Sequence, residues 1–196
     1  MHKMQKAKMS QYRDLYAGRP AAVLGGGPSL PGDMEHLPPG CVLIGVNNHA
    51  FYICEPNYMV YNDRPEDHPD LGAAIYACPK RVKRVSPDPT SDILFDVDVW
   101  TGFYSSNTAT WFACWMGCNP VILCGMDCYQ GEVKYFHEWT RVHNLVEFTN
   151  LPLEHHIRPW IEDAKNKCLH PEKIRAMSGP LVNVFGRYET IDFASS

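Results

Sequence analysis

Four runs of apolar residues punctuate the chain, and each stops abruptly at glycine or at small polar residues. The first, Ala21–Leu24, runs straight into Gly25, Gly26, Gly27, Pro28, Ser29 and Leu30. Cys41 to Val46 ends at Asn47 and Asn48, Tyr58 to Tyr61 ends at Asn62 and Asp63, and Pro120 to Cys124 ends at Gly125, Met126 and Asp127. Unbroken apolar runs of this length predict parallel strands buried on both faces. Arg81 to Val85 and Val182 to Phe185 read as further strands. Helices are predicted between Asp67 and Cys78, from Ser106 to Gly117 with Ala109, Phe112, Ala113 and Met116 on one side, and from about Arg158 to Lys167. Ser86 to Asp92, with two prolines, is a breaker between elements. Residues 131–157 lack clear periodicity and are rich in aromatic and histidine residues, so they read as a lid or insertion. The polar stretch 1–16 reads as an arm or helix.

Strands alternating with helices over 196 residues predict one α/β domain, a Rossmann-like, mostly parallel sheet flanked by helices. In such sheets the C-terminal strand ends open onto a crevice. The polar residues that stop each run are therefore the first candidates for a site.

Charge and cysteine usage narrow the function classes. A net charge of −4 and a pI near 6.1 argue against a general nucleic-acid binder, which needs a basic face. The one basic cluster, Lys80 to Arg84, alternates as an edge strand or solvated face would. No apolar stretch approaches a membrane span, and no secretory signal precedes the scattered cysteines, which points to a reducing cytoplasm. Cys114 and Cys118, then Cys124 and Cys128, with His137 beyond, form two C-x3-C pairs that invite a zinc reading. They fall within a helix and a strand rather than on tight turns, so core packing is the better reading. Trp100, Trp111, Trp115, Trp139 and Trp160 are widely spread and suit a core, an acceptor groove or an interface.

The glycine run has a physical use. Glycine lets backbone approach a ligand closely, and a helix starting near Ser29 would aim free N–H groups and its positive end at an anion, as a phosphate requires. The spacing is neither G-x-G-x-x-G nor a P-loop. The bland alternative is a glycine turn closing strand against helix, with Ser29 as N-cap.

Gly25-Gly26-Gly27-Pro28-Ser29-Leu30 resembles the G-x-G-P-S-L loop of two related Rossmann-like groups. One is the bacterial sialyltransferases of glycosyltransferase family forty-two. The other includes archaeal 6-hydroxymethylpterin diphosphokinase and the motility accessory factors. The likeness continues in order. Val46 to Phe51 is similar to the sialyltransferases' C-N-x-F segment, Val60-Tyr61-Asn62 to F-Y-N, and Tyr104-Ser105-Ser106 to T-S-G. Leu123 to Gln130 is similar to L-S-G-I-D-F-Y-Q, Tyr135 falls at a second family tyrosine, and Pro180 to Phe185 resembles S-L-L-A-N-F. Gly26 stands where the sialyltransferases carry an asparagine, and the chain is shorter, which implies a reduced lid.

The resemblance implies a nucleotide-sugar-dependent transferase that displaces CMP with inversion and without a metal. Gly25, Gly26, Gly27, Pro28, Ser29, Asn47, Asn62, Asp63, Ser105, Ser106 and Asp127 would surround the nucleotide. Tyr129 and Tyr135 would stabilise the leaving phosphate, and His156, or His155, would deprotonate a glycan or small-molecule acceptor. His137 is a more remote candidate for that base. Two alternatives stay open. Asp63 and Asp127 could hold Mg2+ in an ATP-dependent diphosphokinase, or the chain could bind a nucleotide without catalysis.

Overall fold

The computed structural model describes residues 6–97, 104–137, 147–166 and 170–189. Eight strands form one sheet: β1 (Ala7–Lys8), β2 (Ala21–Leu24), β3 (Val42–Val46), β4 (Tyr58–Val60), β5 (Lys83–Ser86), β6 (Ile93–Leu94), β7 (Val121–Cys124) and β8 (Ile174–Ala176). The order is β1-β6-β5-β4-β3-β2-β7-β8, and every pairing is parallel. This is the Rossmann-like α/β arrangement. From β2 the chain builds outward through β3 to β6 on one side, then returns to place β7 on the other. The boundary between β2 and β7 is thus a topological switch point, where a crevice opens beyond the strand ends.

Alternate strand residues face opposite sides, and both sides are covered. Ala21, Val23, Ile44, Val60, Val121 and Leu123 pack with Phe112 and Ala113 of helix α3 (Ser105–Trp115) and Trp160 of helix α4 (Leu153–Lys165). On the opposite side Ala22, Leu24, Ile122 and Cys124 meet Leu30 of helix α1 (Leu30–Met34). Met59 and Tyr61 there meet Leu71 and Ile75 of helix α2 (Pro69–Ala77). The whole of β2 is fully buried. Burial of each large aliphatic side chain stabilises by roughly 1.5–3 kcal/mol, which is why these runs carry no polar residue.

Several elements differ from expectation. Val182–Phe185 is a helix, α5, not the last strand; it follows Pro180 and ends at Gly186, whose φ is 81°. A four-residue stretch with three apolar residues fits either state, and here the sheet position beside β7 belongs to Ile174–Ala176. Arg175 in the middle of that strand hides its character. Lys83–Ser86 is not an edge strand, because β6 and β1 extend the sheet beyond it. Arg84 pairs with Asp92 at 2.9 Å through two nitrogens. Within the stretch read as an arm, Ala7–Lys8 joins the sheet, Met9–Tyr12 forms a 3-10 turn, and Met9 is fully buried. Helix α4 starts at Leu153 rather than near Arg158, with Pro159 inside it. Residues 1–5, 138–146, Trp100, Trp139 and Lys167 lie outside the described residues.

Cys114, Cys118 and Cys124 are buried, and burial pushes the first two thiols up to about 11 and about 12. They pack as small hydrophobic side chains. No helix among the described residues is long and apolar enough to cross a membrane.

Candidate functional site

At the switch point lies a cavity of about 690 Å3. Gly25, Gly26 and Gly27 after β2, Asn47 after β3, Asn62 and Asp63 after β4, and Asp127 and Tyr129 after β7 all line it. So do Ser105 and Ser106 at the start of α3, Tyr135, and His156 of α4. Of the sequence candidates, Pro28, Ser29 and His155 are not on this wall.

The glycine loop forms one wall of the cavity, and several of its N–H groups are bonded within the protein. The N–H of Gly25 donates to Cys124 O at 2.8 Å, that of Gly27 to Gly125 O at 2.9 Å, and that of Ser29 to Asp127 Oδ2 at 3.1 Å. The Ser29 hydroxyl also donates to Asp127, at 2.9 Å. The start of the five-residue α1 therefore holds an internal anion, the Asp127 carboxylate, in the place foreseen for a ligand. The glycines serve this close approach. A Cβ on Gly25 would stand 2.5 Å from Gly125 O, and one on Gly27 would collide with Asp127 Oδ2. Asp33, buried and one turn into α1, ties the same corner together. Its Oδ2 accepts from Gly125 N and Ser178 Oγ, both at 2.9 Å, and lies 3.1 Å from Ser29 Oγ. Sequence reasoning missed Asp33, whose only local mark is its spacing four residues after Ser29.

Two helix starts do open on the cavity, that of α3 through Ser105 and Ser106 and that of α2 through His68, and neither has a side-chain cap. Ser105 Oγ accepts from Asn62 N at 3.1 Å, and Asn62 Nδ2 donates to Thr108 Oγ1 at 2.7 Å. These bonds fix the Asn62 amide, and its buried Oδ1 has no partner. Asn47, with φ of 50°, also carries a buried Oδ1 without a partner. Asparagine is one of the few side chains that tolerates this backbone region.

His155 and His156 are consecutive helical residues, so their side chains diverge by about 100°. His155 is exposed to solvent, and His156 is 1% exposed and lines the cavity. Tyr104 Oη lies 3.2 Å from His156 Nδ1, while the buried Nε2 has no hydrogen-bond partner. Burial lowers the His156 pKa, against an opposing pull from the Leu151 backbone. Tyr129 packs edge-on against His156, with ring centroids 4.9 Å apart, and against Tyr135, at 5.9 Å. Burial is the main force raising both tyrosine pKa values, so both remain O–H donors at neutral pH.

His49 lies in the Val46–Phe51 segment, where no local pattern marks it. It lines the cavity against Gly26, with Nδ1 2.9 Å from His137 Nε2 and its ring stacked on Tyr135 at 5.2 Å. His137 is thus a partner of His49, and it does not line the cavity. Lys134, Tyr104, Phe148 and Trp160 also reach the cavity. Only adjacency to Tyr135 marked Lys134, whereas Tyr104 stands at the head of the segment similar to T-S-G. Asp127 is held by Ser29, and no group of three metal-ligating side chains forms among the described residues.

The chain matches no family model and no curated relative by sequence. Among solved structures, it superposes on the sialyltransferase CstII from Campylobacter jejuni, solved in complex with a substrate analogue, cytidine-5'-monophosphate. The TM-score is 0.61 at 16% identity, over 90% of this chain and 88% of that one. It also superposes on the monofunctional alpha-2,3-sialyltransferase Cst-I from the same organism, with a TM-score of 0.58 at 15% identity, over 91% and 82%. At these identities the likeness is one of fold. That fold is found in the group whose motifs the sequence resembles.

Proposed function

We propose that this protein is a glycosyltransferase that takes an acidic sugar from a CMP-linked donor and passes it, with inversion and without a metal, to the hydroxyl of a glycan or small acceptor. The observation that carries this reading is the juxtaposition of His156 with Tyr129 and Tyr135 in one cavity, a base and two hydroxyl donors. The fold shared with two sialyltransferases supports it.

The chemistry follows from the protonation states. With its proton on Nδ1, shared with Tyr104 Oη, His156 presents the Nε2 lone pair to an acceptor. Nε2 takes the acceptor's proton as its oxygen attacks the anomeric carbon. The bond from that carbon to the phosphate oxygen breaks, both electrons leaving with CMP. The O–H groups of Tyr129 and Tyr135 stabilise the phosphate charge that develops, as fixed donors do in a site shielded from water. Asn47 and Asn62, with unpartnered amide oxygens, and the Ser105–Ser106 turn are fitted to hold the nucleoside and sugar.

A thermal-shift panel of CMP, UDP, GDP and ATP, each with and without Mg2+, tests the reading. A ligand that binds the native state raises its melting temperature. Stabilisation by CMP independent of Mg2+, together with slow hydrolysis of a CMP-linked acidic sugar, is expected. Stabilisation by ATP that requires Mg2+ would replace this reading with a diphosphokinase.

A further inference from the structure

The cavity wall carries three carboxylates, Asp63, Asp67 and Asp127, and among its described residues a single lysine or arginine, Lys134. An anionic ligand entering such a wall needs a placed positive charge. Lys134 is half-buried, and its Nζ donates to the Tyr129 carbonyl at 2.8 Å. Tyr129 itself sits in the left-handed region, φ 57°, directly after Cys128 at φ 50°. An ammonium has three N–H donors, so this anchor leaves two for a ligand. The next residue is Tyr135, and the lysine's charge is felt at His156, whose pKa it helps to lower. Lys134 is thereby anchored to the backbone of Tyr129, on the cavity wall that Tyr135 and His156 also line.

We infer that Lys134 Nζ is the counter-ion of the donor's phosphate, binding it in the ground state and neutralising it as the sugar leaves. This rests on the glycosyltransferase reading and adds a residue to it. The lysine gains and loses no proton; the electron pair of the broken carbon–oxygen bond stays on the phosphate oxygen, whose charge the ammonium offsets. A fixed side-chain cation thus takes the part that a divalent ion plays in other nucleotide sites.

The test compares wild type, Lys134→Gln and Lys134→Arg by calorimetric titration with CMP, and by 31P NMR titration of bound CMP against pH. Glutamine keeps a donor for the Tyr129 carbonyl but removes the charge. Expected are a CMP affinity at least about tenfold weaker in Lys134→Gln, as loss of a charge-assisted contact implies, and substantial recovery in Lys134→Arg. The second ionisation of bound CMP, about 6 when free, is expected to be depressed in wild type and to move back up in Lys134→Gln. Unchanged affinity overturns the inference. So does weaker affinity with an unmoved 31P midpoint, because Lys134 would then act only by holding the Tyr129 loop. If wild type binds another nucleoside monophosphate and not CMP, the donor reading falls and the same lysine comparison is made on that nucleotide. Wild type that binds no nucleotide removes both.

Discussion

The imidazole of His49 lies so close to Gly26 that a Cβ at position 26 would stand 2.6 Å from His49 Nδ1. The asparagine that the resemblance leads one to expect at this position has no room, because a side chain from the loop after β3 fills its space. Gly26→Asn is therefore expected to destabilise the fold by about 1–3 kcal/mol, the range for overpacking. Urea denaturation checks this, and adding His49→Ala should return part of the loss. Strict additivity in that double mutant would mean the two side chains do not compete.

Gly27 and Asp127 make a second such pair. Alanine at 27 must push the carboxylate off Ser29, breaking two hydrogen bonds to a charged group. Each such bond contributes about 1.5–3 kcal/mol, so Gly27→Ala should be among the most destabilising single-methyl additions in the chain. A melting temperature equal to wild type would rule out this role for the glycine.

His156→Ala should lower kcat by about 10^2–10^4, the usual worth of a general base, while His155→Ala stays near wild type. Tyr104→Phe should fall between them, because it frees Nδ1 without removing the base. The neutral ring is the active form and burial lowers its pKa. Activity should thus persist below the ordinary histidine range before protonation switches it off. A kcat/KM profile whose acid limb lies above 6.5 would contradict the assignment.

How far the site could be read from sequence differs by residue. Strands β2, β3, β4 and β7 were legible because a run buried on both faces has no polar residue to confuse it. Strands β1 and β6 have two residues each, and β8 carries Arg175, so no pattern could reveal them. The cavity wall was legible at strand ends, Asn47, Asn62 and Tyr129, where the fold class dictates exposure. His49 and Asp33 were not, since their importance arises from loops that meet only in three dimensions. The glycine run was legible as a place of close approach, but its partner turned out to be the loop after β7, which no local pattern encodes.

His49 also sets a response to acid. Burial, then the neighbouring His137, lowers its pKa to about 3, against 6.5 in an unfolded chain. Its neutral form belongs to the fold, so this contribution to stability is complete above pH 6.5 and is lost as pH falls toward 3. The loss approaches about 1.4 kcal/mol per pH unit. Denaturation at pH 7.5 and pH 5 should show a larger drop in wild type than in His49→Gln; equal drops would remove His49 from the account.

The proposed chemistry uses no metal, so EDTA should leave CMP binding and sugar transfer unchanged. Loss of either on chelation, restored by Mg2+, would bring Asp63 and Asp127 back as ligands.

The place of β7 beside β2 has a consequence for how the molecule is made. Ala21 pairs with Val121, so a growing chain carries β2 and its glycine loop through a hundred positions of synthesis before that neighbour exists. Until then one edge of β2, wholly apolar, has open backbone groups that can pair with another chain. Contacts this distant in sequence form slowly. The crevice therefore cannot form until β7 has been made and has paired with β2, and changes that weaken β7 should appear first as aggregation of newly made chains, before any change in the finished protein's turnover.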